Sequence, residues 1–158
     1  MVSAPLSTLR PQPDSKARLR LWIRLLRASR LIEAVTRERL KTQFNATLPR
    51  FDVMAALYRK PDGMLMSEIS RFLMVSNGNV TGIVDRLVAD GFVARAQRNG
   101  DRRTSFVSLT RKGRATFAEM ASAHEIWIDE LLGSISAREA EQLSAKLRSF
   151  RSEWEGGA

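Results

Sequence analysis

Residues 67–113 constrain this chain more than any other stretch. They read as helix, turn, helix, strand, basic loop, strand and the start of a further helix. Ser67 is a plausible N-cap for a helix through Leu73, with Ile69, Phe72 and Leu73 facing inward. Met74 and Val75 make the turn, and Ser76 is a plausible N-cap for the next helix. That helix stops at Gly91, because glycine fills the left-handed position after a helix without steric cost. Val80, Ile83, Val84, Leu87 and Val88 give it one apolar face at three- and four-residue steps. Its other face holds Asn77, Asn79, Thr81, Asp85 and Arg86. Two short alternating runs, 92–96 and 104–109, then flank a loop containing Arg98, Asn99, Gly100, Asp101, Arg102 and Arg103. A helix pair followed by a cationic hairpin is the arrangement of a winged helix-turn-helix. Its second helix fits the major groove of duplex DNA, and its hairpin tip can reach the adjacent minor groove.

The rest of the chain predicts helices around this unit, so the fold class is mainly α with a small β-hairpin. Ser15 to about Phe44 reads as one long helix, with Leu19, Trp22, Ile23 and Leu26, and again Leu25, Ala28, Ile32 and Val35, at helical spacing. Leu21 and Leu31 widen that stripe beyond what one packing partner needs. Asn45 and Thr47 break the pattern, and Pro49 suits the first turn of a second helix carrying Phe51, Val53, Met54, Leu57 and Tyr58. Pro61-Asp62-Gly63 marks a turn, and Met64-Leu65-Met66 can form a very short strand. Thr110 caps a helix running from Arg111 towards Leu132. Ser136 opens a final helix with Glu139 three residues on, a capping box, and Leu143, Leu147, Phe150 and Trp154 form its stripe. The expected organisation is a disordered arm over residues 1–14 and a single domain over 15–158. Within it the winged unit covers about 49–110, and flanking dimerisation helices cover about 15–44 and 111–155. The two end helices carry more apolar surface than one small winged unit can cover. A two-fold dimer covers it; an intramolecular helical bundle is the other solution.

Composition narrows the chemistry. The chain has 158 residues, no Cys, one His and a formal net charge of +9. Thiolate metal sites, disulfides and a multi-histidine site within one chain are excluded. The positive charge favours a polyanionic partner. No glycine-rich phosphate loop and no recommended carboxylate pair is present, so the chain is expected not to be an enzyme and to need no cofactor or metal. No apolar run approaches the ~20 residues of a membrane span, so a soluble, cytoplasmic protein without a membrane partner is expected.

The order of these elements, with Asp101-Arg102-Arg103, then Val107-Ser108-Leu109-Thr110, then Lys112-Gly113, resembles the MarR family of bacterial transcription regulators. The run from Val80 to Gly91 is similar to that family's recognition helix, and the likeness extends from about Leu19 to Trp154. The resemblance implies a homodimer held by the first and last helices. It also implies a pseudo-palindromic double-stranded operator, usually repressed, and release by a small ligand. Ser76, Asn77, Asn79, Thr81 and Arg86 are candidate contacts of the recognition helix. Asn suits adenine and Thr suits a thymine methyl. Arg86 can equally hold a phosphate or pair with Asp85 or Asp101. Arg103 matches the family's wing-tip arginine and Asp101 the acid that orients it, with Arg98 and Arg102 as phosphate clamps. The chain departs from the family at Gly82, where an arginine is common, and Gly78 adds a second glycine.

For the effector, Trp22, Arg27, Phe44, Met54 and Tyr58 are candidate pocket residues, with core packing as the alternative for each. His124 reads as an interface or surface histidine. Residues 48–57 and 74–88 resemble the branch of the family that controls aromatic-acid catabolism, some of whose members answer to acyl-CoA thioesters. Arg18, Arg20, Arg24, Arg27 and Arg30 in the first helix suit a CoA phosphate, and equally suit solvation or the DNA backbone. The readings therefore run from a ligand-responsive regulator to a constitutive nucleoid-type binder or a winged-helix module for protein partners.

Overall fold

The computed structural model describes residues 14–97 and 105–155. The order is α1 (Ser15–Phe44), α2 (Leu48–Tyr58), β1 (Met64–Leu65), α3 (Met66–Leu73), α4 (Asn77–Ala89), β2 (Val93–Gln97), β3 (Ser105–Leu109), α5 (Arg111–Leu131) and α6 (Ala137–Glu155). The sheet is antiparallel in the order β1-β3-β2, with Val93 opposite Leu109, Gln97 opposite Ser105, and Met64 opposite Val107. The predicted arm and the wing tip with Arg98, Asp101, Arg102 and Arg103 lie outside the described residues.

The core sits in the winged lobe. Leu57, Ile69, Val80, Val84, Leu87 and Val107 are all fully buried, and Leu40 from the end of α1 joins them. Phe117, Met120 and Trp127 bring α5 onto the same core. Local chemistry sets the element ends. Thr47 accepts the Arg50 N–H at the start of α2, and proline occupies its first turn. Asn45 closes α1 in the left-handed region, and Gly91 follows α4 at φ +76°. The Glu139 carboxylate accepts from the Ser136 N–H and hydroxyl, while the Ser136 hydroxyl accepts the Glu139 N–H, a complete capping box.

Four local expectations change. The third helix starts at Met66, two residues before the start that a Ser67 N-cap would give. Leu65 holds the N-cap position, and the Glu68 carboxylate satisfies its N–H at 2.7 Å. Phe72 does not face inward but is half exposed, with the Arg59 guanidinium over its ring. Ser76 stands at the N-cap position of α4 without a side-chain capping bond. Both hairpin strands also begin one residue later than the alternation suggests.

The end helices behave differently from the lobe. Leu19, Leu21, Trp22, Ile23, Leu25 and Leu31 on α1 are exposed, as are Leu143 and Leu147 on α6. The carboxy-terminal half of α1 packs on α2 and α5, whereas α6 does not fold back to cover the free half. An intramolecular bundle is therefore not how this chain covers its stripes.

Candidate nucleic-acid interface and effector groove

Helical geometry decides what α4 presents. At about 100° per residue, Val80, Val84 and Leu87 cluster on one side and define the inward direction. The centre of the opposite side is Gly78 and Gly82, bordered by Asn79 and Arg86 on one edge and by Thr81 and Asp85 on the other. All six are exposed, as are Ser76 and Asn77. The Thr81 hydroxyl donates to the Asn77 carbonyl at 2.9 Å. Asp85 accepts from Arg95 on β2 at 2.6 Å, which ties the helix to the wing. Arg86 therefore does not pair with Asp85, and it has no ion pair among the described residues.

A cluster that sequence reasoning missed holds the far end of α4. Arg50 of α2 pairs with the Asp90 carboxylate, and Lys112 of α5 donates to the Asp90 carbonyl at 3.0 Å. The Phe92 ring lies between them, 4.7 Å from the Lys112 ammonium and 5.9 Å from the Arg50 guanidinium. Thr110 donates its hydroxyl to the Gly91 carbonyl at 2.7 Å and accepts the Gly113 N–H at 3.0 Å. Gly113 is required here for space: a Cβ would stand 1.9 Å from the Phe92 carbonyl oxygen. The Thr-x-x-Gly spacing hints at the cap. Nothing local signals that residues 50, 90 and 112 meet.

The five pocket candidates do not come together. Phe44 and Met54 line a cavity of about 40 Å³ with Arg50, Phe92, Thr116 and Met120, which is water-sized. Tyr58 lines a different, open groove of about 500 Å³ between α2 and α5. Trp22 and Arg27 line neither and stand on the exposed half of α1. Helix length explains the separation: at ~1.5 Å per residue, Trp22 lies about 33 Å along the axis from Phe44.

The α2–α5 groove has walls that the sequence reading did not collect. Phe51, Tyr58, Phe117 and His124 line it with Ile128, and Arg59 and Glu125 stand at its rim. Residues 117, 121, 124 and 128 form an i, i+4, i+7, i+11 stripe, the signal that could have found it. The rings pack on each other, with Phe51–Phe117 centroids 5.3 Å apart, Phe51–His124 at 5.0 Å and Tyr58–Phe117 at 5.0 Å. The Arg114 guanidinium covers the Tyr58 ring at 5.0 Å. Burial lowers the His124 imidazole below its ordinary pKa and favours the neutral ring. Asp52, also on α2, moves the other way: burial, and then the Glu33 charge, raise its carboxyl. Among the described residues no group of His, Asp and Glu is arranged to hold a metal ion. None of their helices is long and apolar enough to cross a membrane.

The lobe's geometry has counterparts among known proteins. Residues 46–105 match the model of the MarR family. The transcriptional activatory protein BadR of Rhodopseudomonas palustris is 33% identical over 78% of this chain and 73% of its own length. The chain belongs to the MarR family. A MarR family transcriptional regulator from Silicibacter pomeroyi is 34% identical, with a TM-score of 0.74, covering 90% of this chain and 99% of that one. A mutant MarR from E. coli, solved in complex with operator DNA, is 22% identical with a TM-score of 0.73 over 88% of this chain and 98% of its own, a likeness of fold alone. This MarR protein is thus a winged-helix, DNA-binding transcription regulator and not an enzyme.

Proposed function

We propose that the chain works as a two-fold dimer that occupies a pseudo-palindromic operator as a repressor and leaves it when a small aromatic ligand binds. Ser76, Asn77, Asn79 and Thr81 are the major-groove contacts in this reading, and Arg86 holds a phosphate. Arg103, oriented by Asp101, enters the minor groove, and Arg98 and Arg102 clamp phosphates. The observation that carries the reading is the outward face of α4. It is exposed from Ser76 to Arg86, leaves Arg86 without an ion pair among the described residues, and is anchored at its end through Asp90 and Gly91. The exposed stripes of α1 and α6 support the dimer, because no part of the described chain covers them.

The aromatic ligand fits the α2–α5 groove better than the set first drawn from the sequence. Four rings offer stacking, and Arg59 and Arg114 offer cations to a carboxylate. The groove joins α2 to α5, the two elements that also hold Asp90, so a ligand that separates them also shifts α4. The test is operator affinity at two salt concentrations, with and without aromatic acids and their CoA esters. A steep salt slope and a ligand-dependent loss of affinity are expected. Affinity indifferent to the whole ligand panel would make the protein a constitutive binder. A promoter reporter reads the sign of control, which matters because BadR is named an activatory protein.

A further inference from the structure

We propose that the first two turns of α4 read A·T base pairs, and that the thymine 5-methyl group is part of what they read. The inference rests on the placement of α4 in the major groove and goes beyond it, to the composition of the half-site. Base identity in that groove is a matter of donor, acceptor and methyl patterns. Guanine is read by Arg or Lys, and cytosine by a carboxylate. From Asn77 to Val84 the helix carries neither. The first acid, Asp85, is already paired with Arg95 at 2.6 Å. The first base, Arg86, lies beyond the second turn, where it suits a phosphate.

What the two turns do offer matches adenine and thymine. Asn79 is exposed, and its amide makes no hydrogen bond among the described residues, so both its donor and its acceptor are free for adenine N7 and N6. Thr81 has spent its hydroxyl proton on the Asn77 carbonyl. A methyl group and an acceptor oxygen remain, the complement of a thymine methyl rather than of a guanine edge. Gly78 and Gly82 lower the surface between these two residues, since a Cβ at either position would meet nothing within 4 Å. Short side chains such as Asn and Thr can then reach base edges that a taller neighbour would hold away.

The experiment is selection of the full chain against a duplex library with a randomised core, at fixed salt, followed by competition with the selected duplex. Enrichment of A·T pairs at the positions under each α4 is expected. Replacing the selected thymines there by deoxyuridine should weaken binding about threefold or more, through loss of the methyl contact alone. Asn79→Ala should remove the adenine preference at one position per half-site, a change of about fivefold to a hundredfold in discrimination. Gly82→Arg has room for its side chain and should convert a neighbouring A·T preference into one for G·C. That gain does not follow from a merely structural role. A selected core rich in G·C, or deoxyuridine duplexes that bind as well as thymine ones, overturns the inference and leaves the regulator reading standing. Failure to retain any duplex at low salt overturns both.

Discussion

The winged lobe and the two end helices obey the same sequence grammar and reach opposite outcomes. Both carry apolar residues at helical spacing. In the lobe those residues vanish from solvent, as with Leu57, Val84 and Leu87. On the free half of α1 and on α6 they stay in it: Leu19 is 57% exposed, Leu31 61% and Leu143 51%. The difference lies in what the chain can bring to each stripe. Around α4 the chain brings α2, α3 and β2 against the helix. The free half of α1 and α6 keep their apolar faces exposed among the described residues. Periodicity reports that a face needs cover and is silent on which chain provides it.

Charge does not follow that division. Opposite charges meet inside the chain on the end helices, as in Arg18–Asp14, Arg37–Glu33 and Arg39–Glu130, and in the lobe, as in Arg50–Asp90 and Arg95–Asp85.

The largest effect should come from the arms. Leu143→Asp with Leu147→Asp removes two exposed leucines that contribute nothing to the lobe core. Light scattering should then report a monomer, and operator affinity should fall by about 10²–10⁴ as the second half-site is lost. A dimer that survives the double substitution would place the interface elsewhere.

A smaller loss, independent of protein concentration, belongs to the lobe. Gly113→Ala drives a methyl group against the Phe92 carbonyl and should cost about 1–3 kcal/mol in denaturant unfolding. It should weaken DNA binding as well, because the same turn holds Gly91 at the end of α4. Unchanged stability would mean that α5 can shift away from Phe92 freely, and the anchoring of α4 would lose its support.

The smallest effect is electrostatic and lies at the boundary between the two regions. Burial lowers the His124 pKa from 6.5, so on acidification the unfolded chain takes up its proton first. The folded state holds its full advantage above pH 6.5 and loses it as pH falls through that value to the lower folded pKa. The residue is only half-buried, so water screens much of the effect. Since the chain has one histidine, His124→Gln should flatten the stability profile on the acid side of neutral pH. A slope that persists in the variant would belong to another group, and Asp52 is the next to examine by Asp52→Asn.

Much of the lobe is legible from residue order because its signals are short-ranged. A cap spans four residues, as at Thr110–Gly113, and the glycine after α4 sits one residue past its C-cap. An apolar face declares itself within two turns. The resemblance to the MarR family rests on residues 80–113, and the family model match over residues 46–105 overlaps that stretch and extends ahead of it. Phe72 shows where the short range fails. Its spacing suits an inward position, yet the path of α3 leaves it beside Arg59 at the surface.

The sequence by itself determined the order of the helices, the caps at Thr110 and Ser136, the glycine after α4 and the two hairpin strands, since each depends on residues within a turn or two of one another. Only the tertiary structure decided that Arg50, Asp90 and Lys112 meet around Phe92, that Trp22 stands far from Tyr58, and that Phe51, Phe117 and His124 share one groove. Those groupings join positions on different elements, such as Arg50 with Asp90 and Phe51 with Phe117. They follow from the direction each helix takes and from the sharing of one core between α2 and α5, and neither property is written in the periodicity of a single segment.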